Sequence, residues 1–103
     1  MRIDFHAHHA LISDSLRLRA TRAMNRIARR APHPMDAAVR VERDGPDIHV
    51  EVELHAKRRK PMVGIARGRY AGPAFTEAVA KLEAQVAKAR TRIAARRAAK
   101  ARA

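Results

Sequence analysis

The segment MDAAVRVERDGPDIHVEVELHA, residues 35–56, decides the fold. Its second half alternates strictly, with Ile48, Val50, Val52, Leu54 and Ala56 on one side and His49, Glu51, Glu53 and His55 on the other. A period of two with β-branched residues at the apolar positions predicts a strand with one wet face. Its first half repeats the pattern as Met35, Ala37, Val39 and Val41 against Asp36, Ala38, Arg40 and Glu42. Between them, residues 43–47 read Arg-Asp-Gly-Pro-Asp, a turn by composition, so the two runs form an antiparallel hairpin.

Outward from the hairpin the pattern changes period. Upstream, Ile3 and Phe5 alternate with Arg2, Asp4 and His6 as a further strand. Ser13 then offers a hydroxyl N-cap with Asp14 in the first turn, and Leu16, Ala20, Ala23, Met24 and Ile27 follow at helical spacing. Pro32 and Pro34 stop that helix. Downstream, Lys57-Arg58-Arg59-Lys60-Pro61 is a basic loop, and residues 62–66 form a short strand. Either Val63 and Ile65 or Met62, Gly64 and Ala66 face its core. Gly72-Pro73 opens a second helix whose apolar residues Phe75, Val79, Leu82, Val86, Ala89 and Ile93 alternate steps of four and three. The expected fold is α+β in the order β-α-β-β-β-α: a four-stranded sheet with both helices on one face, as in double-stranded RNA-binding domains. Residues 1–93 make one domain, and 94–103, only Ala and base, make a flexible basic tail.

Charge narrows the function. The 103 residues carry 23 Lys and Arg against 10 Asp and Glu, a net charge of +13 that calls for a polyanionic partner. From Ala84 onward there are seven bases and no acid, and residues 14–31 hold six Arg beside Asp14 alone. The candidate RNA-binding residues are therefore Arg22, Arg26, Arg29 and Arg30 on the first helix with Lys81, Lys88, Arg90 and Arg92 on the second. Tyr70, Phe5 and Phe75 are the only aromatics, too few for base stacking across a sheet, so recognition has to rest on phosphates and RNA shape.

Other classes lose ground on the same residues. No Cys is present, so no disulfide framework or thiolate metal site holds the fold. Asp4-Phe5-His6-Ala7-His8 resembles the first strand of metal-dependent amidohydrolases, but their barrel needs about 200 to 250 residues. With no further ligands in view, neither a catalytic centre, a metal, a cofactor nor a small-molecule substrate is expected. No apolar run has the length of a signal peptide or a membrane span, and the Arg-rich stretch 15–31 lies behind a strand rather than at the N-terminus of a presequence. A cytoplasmic protein, monomeric when free, is expected.

The last helix carries a resemblance. Lys81-Leu82-x-x-Gln85-Val86-x-Lys88-x-Arg90-x-Arg92-Ile93 resembles the Lys-Leu-x-x-Gln-Leu-x-Lys-x-Lys-x-Lys-Leu helix of the ribosome hibernation promoting factors, also called ribosome-associated inhibitors or sigma-54 modulation proteins. Ile12-Ser13-Asp14-Ser15-Leu16-Arg17 is similar to that family's Ile-Thr-Glu-Ala-Leu-Arg, and the element order agrees over residues 2–93. Where the family has Asp-x-Tyr-x-Ala before the last helix, this chain has Tyr70-Ala71-Gly72-Pro73-Ala74. The likeness is to the family's short forms. It implies binding to ribosomal RNA of the small subunit through the two basic helices, and inhibition of translation by occupying the mRNA and tRNA channel. The rival readings are a double-stranded RNA-binding domain, whose Gly-Pro-x-His loop Gly45-Pro46-Asp47-Ile48-His49 misses by one residue, and a DNA-architectural protein, whose apolar wedge is not visible.

Overall fold

The computed structural model describes residues 1–102. It contains β1 (Arg2–His8), α1 (Asp14–Ala28), β2 (Pro34–Asp44), β3 (Asp47–Ala56), β4 (Met62–Gly68) and α2 (Ala71–Arg102). The strands form a single sheet in the order β1-β2-β3-β4, with β1 parallel to β2 and the other neighbours antiparallel. The α1 crossover joins the parallel pair, and both helices lie on one face of the sheet. This is the α+β architecture expected from the alternation and the helical periods.

Local chemistry explains each element. The Ser13 hydroxyl accepts a hydrogen bond from the Leu16 amide at 3.1 Å, capping α1 one residue before Asp14. The β2–β3 turn has only two residues between the paired Asp44 and Asp47. Gly45 takes φ +61°, and the Pro46 ring holds φ near about −65°, the combination a type II′ hairpin turn needs. Met35 lies outside the alternation and is exposed, because the β2–β3 register shifts between Pro34 and Asp36.

The core is the sheet's inner face pressed against the helices. Ala37, Val39 and Val41 from β2 meet Ile48, Val50, Val52, Leu54 and Ala56 from β3 and Met62 and Ala66 from β4. Leu16, Ala20, Ala23, Met24 and Ile27 close it from α1, and Phe75, Val79, Leu82, Val86 and Ala89 from α2. The choice of facing on β4 is thereby resolved: Met62, Gly64 and Ala66 are buried, and Val63 and Ile65 point outward. Gly64 stands at an inward position because α2 crosses there, and a β-carbon would overlap the carbonyl oxygen of Ala78. One expectation changes. Residues 94–102 continue α2 as helix instead of leaving it as an irregular tail, since Ala and Arg both favour helix and nothing there breaks it. None of these nine residues is buried, so this stretch of α2 projects from the domain.

Candidate nucleic-acid interface

Charge is divided between the layers. The two helices with the α1 C-cap Arg29 and the following Arg30 hold 14 of the 23 bases and three of the ten acids, and the other seven acids fall on strands. Six of those seven acids meet bases or His55 of the sheet itself, Asp4 pairing with Arg2 at 3.3 Å, and Glu42 makes no ion pair among the described residues. Arg40 pairs with Glu53 at 2.6 Å and Glu51 at 3.6 Å, and Arg67 with Asp44 at 2.6 Å and Asp47 at 3.6 Å. His55 lies between Asp36, 2.5 Å from Nδ1, and Glu53, 3.0 Å from Nε2. An imidazole with a carboxylate on each nitrogen can donate to both only when protonated, so these hydrogen bonds raise the His55 pKa, that to Glu53 foremost. The hydrogen bond from Arg40, with a smaller one from His55, holds the Glu53 carboxyl below the usual carboxylate range despite its partial burial. The strand layer is thus largely paired within itself.

The helical layer is not. Among the described residues, Arg22, Arg29, Arg30, Lys88, Arg90 and Arg92 make no salt bridge. All six are exposed. The other two sequence candidates are engaged within the fold. Arg26 reaches across the helices to Glu83 at 3.3 Å, and Lys81 donates to the Ile65 carbonyl at 2.8 Å while pairing with Glu77 at 3.5 Å. These contacts are surface-exposed, so they restrain the side chains without removing them from a partner's reach.

Position sorts the eight candidates into separate sites. Arg22 and Arg26 line the upper part of the groove between α1 and α2, and Arg26, Arg30 and Arg90 line its lower part around Ile27 and Val86. Lys88 and Arg92 lie on the other flank of α2, beside Arg59 and Lys60 of the β3–β4 loop. Lys81 caps the β4 edge, and Arg29 lines neither groove. Sequence reasoning missed Arg19, which lines the inter-helix groove, contacts Thr76 and lies over the Phe75 ring at 5.4 Å. Its signal was available, because Arg19, Arg22, Arg26 and Arg30 step by three, four and four along one helix face. Arg59 and Lys60 had no such signal, since only the fold brings their loop to α2.

Among the described residues, no three His, Cys, Asp or Glu side chains come together in a way that could hold a metal. Among them, too, no helix is long and apolar enough to cross a membrane.

The class these features define is a two-layer α+β protein with a cationic helical layer over a sheet whose strands carry more acids than bases. Residues 3–94 match the family described as Sigma 54 modulation protein / S30EA ribosomal protein, and the chain belongs to that family, which makes it a ribosome-associated protein. No individually curated protein matches it in sequence. Its fold is similar to that of a ribosomal subunit interface protein from Coxiella burnetii, with TM-score 0.71 and 15% identity over 88% of this chain and 99% of that one. It is also similar to the N-terminal domain of Protein Y from Thermus thermophilus, with TM-score 0.70 and 22% identity over 84% of this chain and 96% of that one.

Proposed function

We propose that this protein is a ribosome hibernation factor that binds ribosomal RNA of the small subunit through its two basic helices and blocks the mRNA and tRNA channel. The observation that carries the reading is the asymmetry of charge pairing. Six of the seven strand acids are paired within the sheet, whereas among the described residues six of the eight candidate cations stand exposed without a salt-bridge partner. Such a surface binds phosphates through charge and places the protein by shape rather than base sequence. Membership in a ribosome-associated family supports a ribosomal partner. Inhibition would be by occupancy: a domain of this size filling the channel excludes mRNA and tRNA with no covalent step, no cofactor and no catalytic residue. The protein would act in the cytoplasm, as a monomer before it binds.

Co-sedimentation with purified small and large ribosomal subunits at physiological salt, alongside a duplex-DNA shift assay, tests the proposal. Selective pelleting with small subunits, and inhibition of in vitro translation at the same protein concentration, is the expected result. Binding to duplex DNA with equal affinity would replace this reading with a general architectural one.

A further inference from the structure

Positions 88 and 92 of α2 lie within about 40° of each other around the helix axis, and position 90 lies about 160° from each. The fold gives both flanks cationic company. Arg90 meets Arg26 and Arg30 across the inter-helix groove, while Lys88 and Arg92 share an open concavity with Arg59 and Lys60. No acid lines that second concavity, and among the described residues none of its four cations makes a salt bridge. By contrast, Glu83 partly neutralises the first. A helix with its side chains is about 10–12 Å across, so the two cationic grooves are separated by the full body of α2.

We infer that α2 is a wedge between two phosphodiester strands, with one strand along the inter-helix groove and a second seated in the Arg59–Lys60–Lys88–Arg92 concavity. This rests on the ribosomal RNA reading above and adds the site for the second strand. One backbone following the inter-helix groove would have to cross over α2 to reach Lys88 and Arg92. Two strands that part around the helix satisfy both flanks at once. The chemistry of the second site is that of phosphate, because the guanidinium forks of Arg59 and Arg92 match phosphate oxygens and the concavity has no aromatic ring for a base. Its occupant is the backbone of an RNA strand, read without base specificity.

The test uses the full chain and purified small subunits. Because the protein has no Cys, Ala87→Cys and Lys57→Cys each accept a single hydroxyl-radical tether, one beside each groove. The two tethers are expected to cut two separate strands of ribosomal RNA, and cleavage of the same nucleotides by both would overturn the wedge. In parallel, Arg59→Ala with Lys60→Ala should make the slope of log affinity against log salt shallower by about 1.4–1.8, the value for two phosphates. Arg2→Ala with Arg43→Ala, on β1 and β2, removes equal charge away from the concavity and should change the slope far less. Equal changes in the two double variants would reduce the second site to diffuse electrostatics. Wild type that fails to bind the small subunit sinks the functional reading and this inference together. Wild-type binding that the Arg59 and Lys60 changes leave untouched sinks this inference alone.

Discussion

Gly64 and Ala78 meet backbone to backbone: a β-carbon on Gly64 would overlap the carbonyl oxygen of Ala78 and come within 2.9 Å of the Leu82 amide nitrogen. Because neither neighbour is a movable side-chain end, α2 and β4 approach only where residue 64 has no side chain. Gly64→Ala should therefore force the helix off the strand and destabilise the domain by about 3 kcal/mol or more, at or beyond the upper end of ordinary overpacking. Urea denaturation followed by circular dichroism measures this. A loss below about 1 kcal/mol would mean that α2 slides along β4 at little cost.

The same close approach lets α2 cover the free edge of β4. The Gln85 amide accepts from the Val63 N–H at 2.9 Å and donates to the Val63 carbonyl at 2.7 Å, taking the place of a neighbouring strand. Gln85→Leu should cost only about 1 kcal/mol, since water can reach the released groups. Its larger effect should be self-association, because an uncovered edge invites another strand. Sedimentation velocity across a concentration series checks this, and an unchanged monomer would show that the Gln85 contact does not guard the edge.

His55 sets a pH dependence of a definite sign. Its pKa is raised in the folded protein, so its contribution to stability is fully present below the unfolded value near about 6.5 and is lost as pH rises through the higher folded value. Glu53 acts oppositely, its lowered pKa giving stability that is lost as pH falls through its folded value. Thermal melts at a series of pH values should show stability declining above neutrality in wild type. In His55→Asn that decline should flatten, and a slope identical to wild type would show that the imidazolium bridge contributes nothing.

Arg26 is held by Glu83, whereas Arg22 and Arg30 on the same helix are not. Glu83→Gln should free Arg26 for phosphate and remove a repelling charge from the groove, strengthening small-subunit binding and steepening its salt dependence by about 0.7–0.9 per added contact. Stability should change by under about 1 kcal/mol, as expected for a surface pair. Weaker binding in Glu83→Gln would mean that the pair orients Arg26 productively rather than withholding it.

The six unpaired candidate cations alone also predict a slope for wild type. With one phosphate each, log affinity against log salt should fall with a slope of about −4 to −5 on the single- and double-strand coefficients. A fluorescence-anisotropy or filtration titration of small subunits across salt concentrations measures it. A slope of about −1 would place most of the affinity in apolar or base-specific contacts.

Periodicity made the layers legible and left proximity out of view. Strict alternation from Ile48 to Ala56 and the four-three steps from Phe75 to Ala89 each name the face that is buried, because burial follows the geometry of one element. The facing of β4 could not be read, since Gly64 carries no hydropathy and its inward place depends on a helix 14 residues away in sequence. Among the site residues, Arg22, Arg26 and Arg30 were visible as a helical row. That Arg26 and Lys81 are tied to Glu83 and Ile65, and that Arg59 and Lys60 join Lys88 and Arg92, depends on contacts between elements that no local pattern records.

The projecting turns of α2 have a consequence of their own in helix–coil terms. Packing of residues 74–89 supplies the costly nucleus, so each residue from 94 to 102 adds to the helix as an inexpensive propagation step. Lys100 and Arg102, in the last turn, lie at the end where the backbone dipole favours cations. Mutual repulsion among Arg96, Arg97, Lys100 and Arg102 opposes that winding, and counter-charge relieves it. The reach of the helix is therefore a graded quantity: its outermost turns unwind first on heating and tighten as anions gather around them.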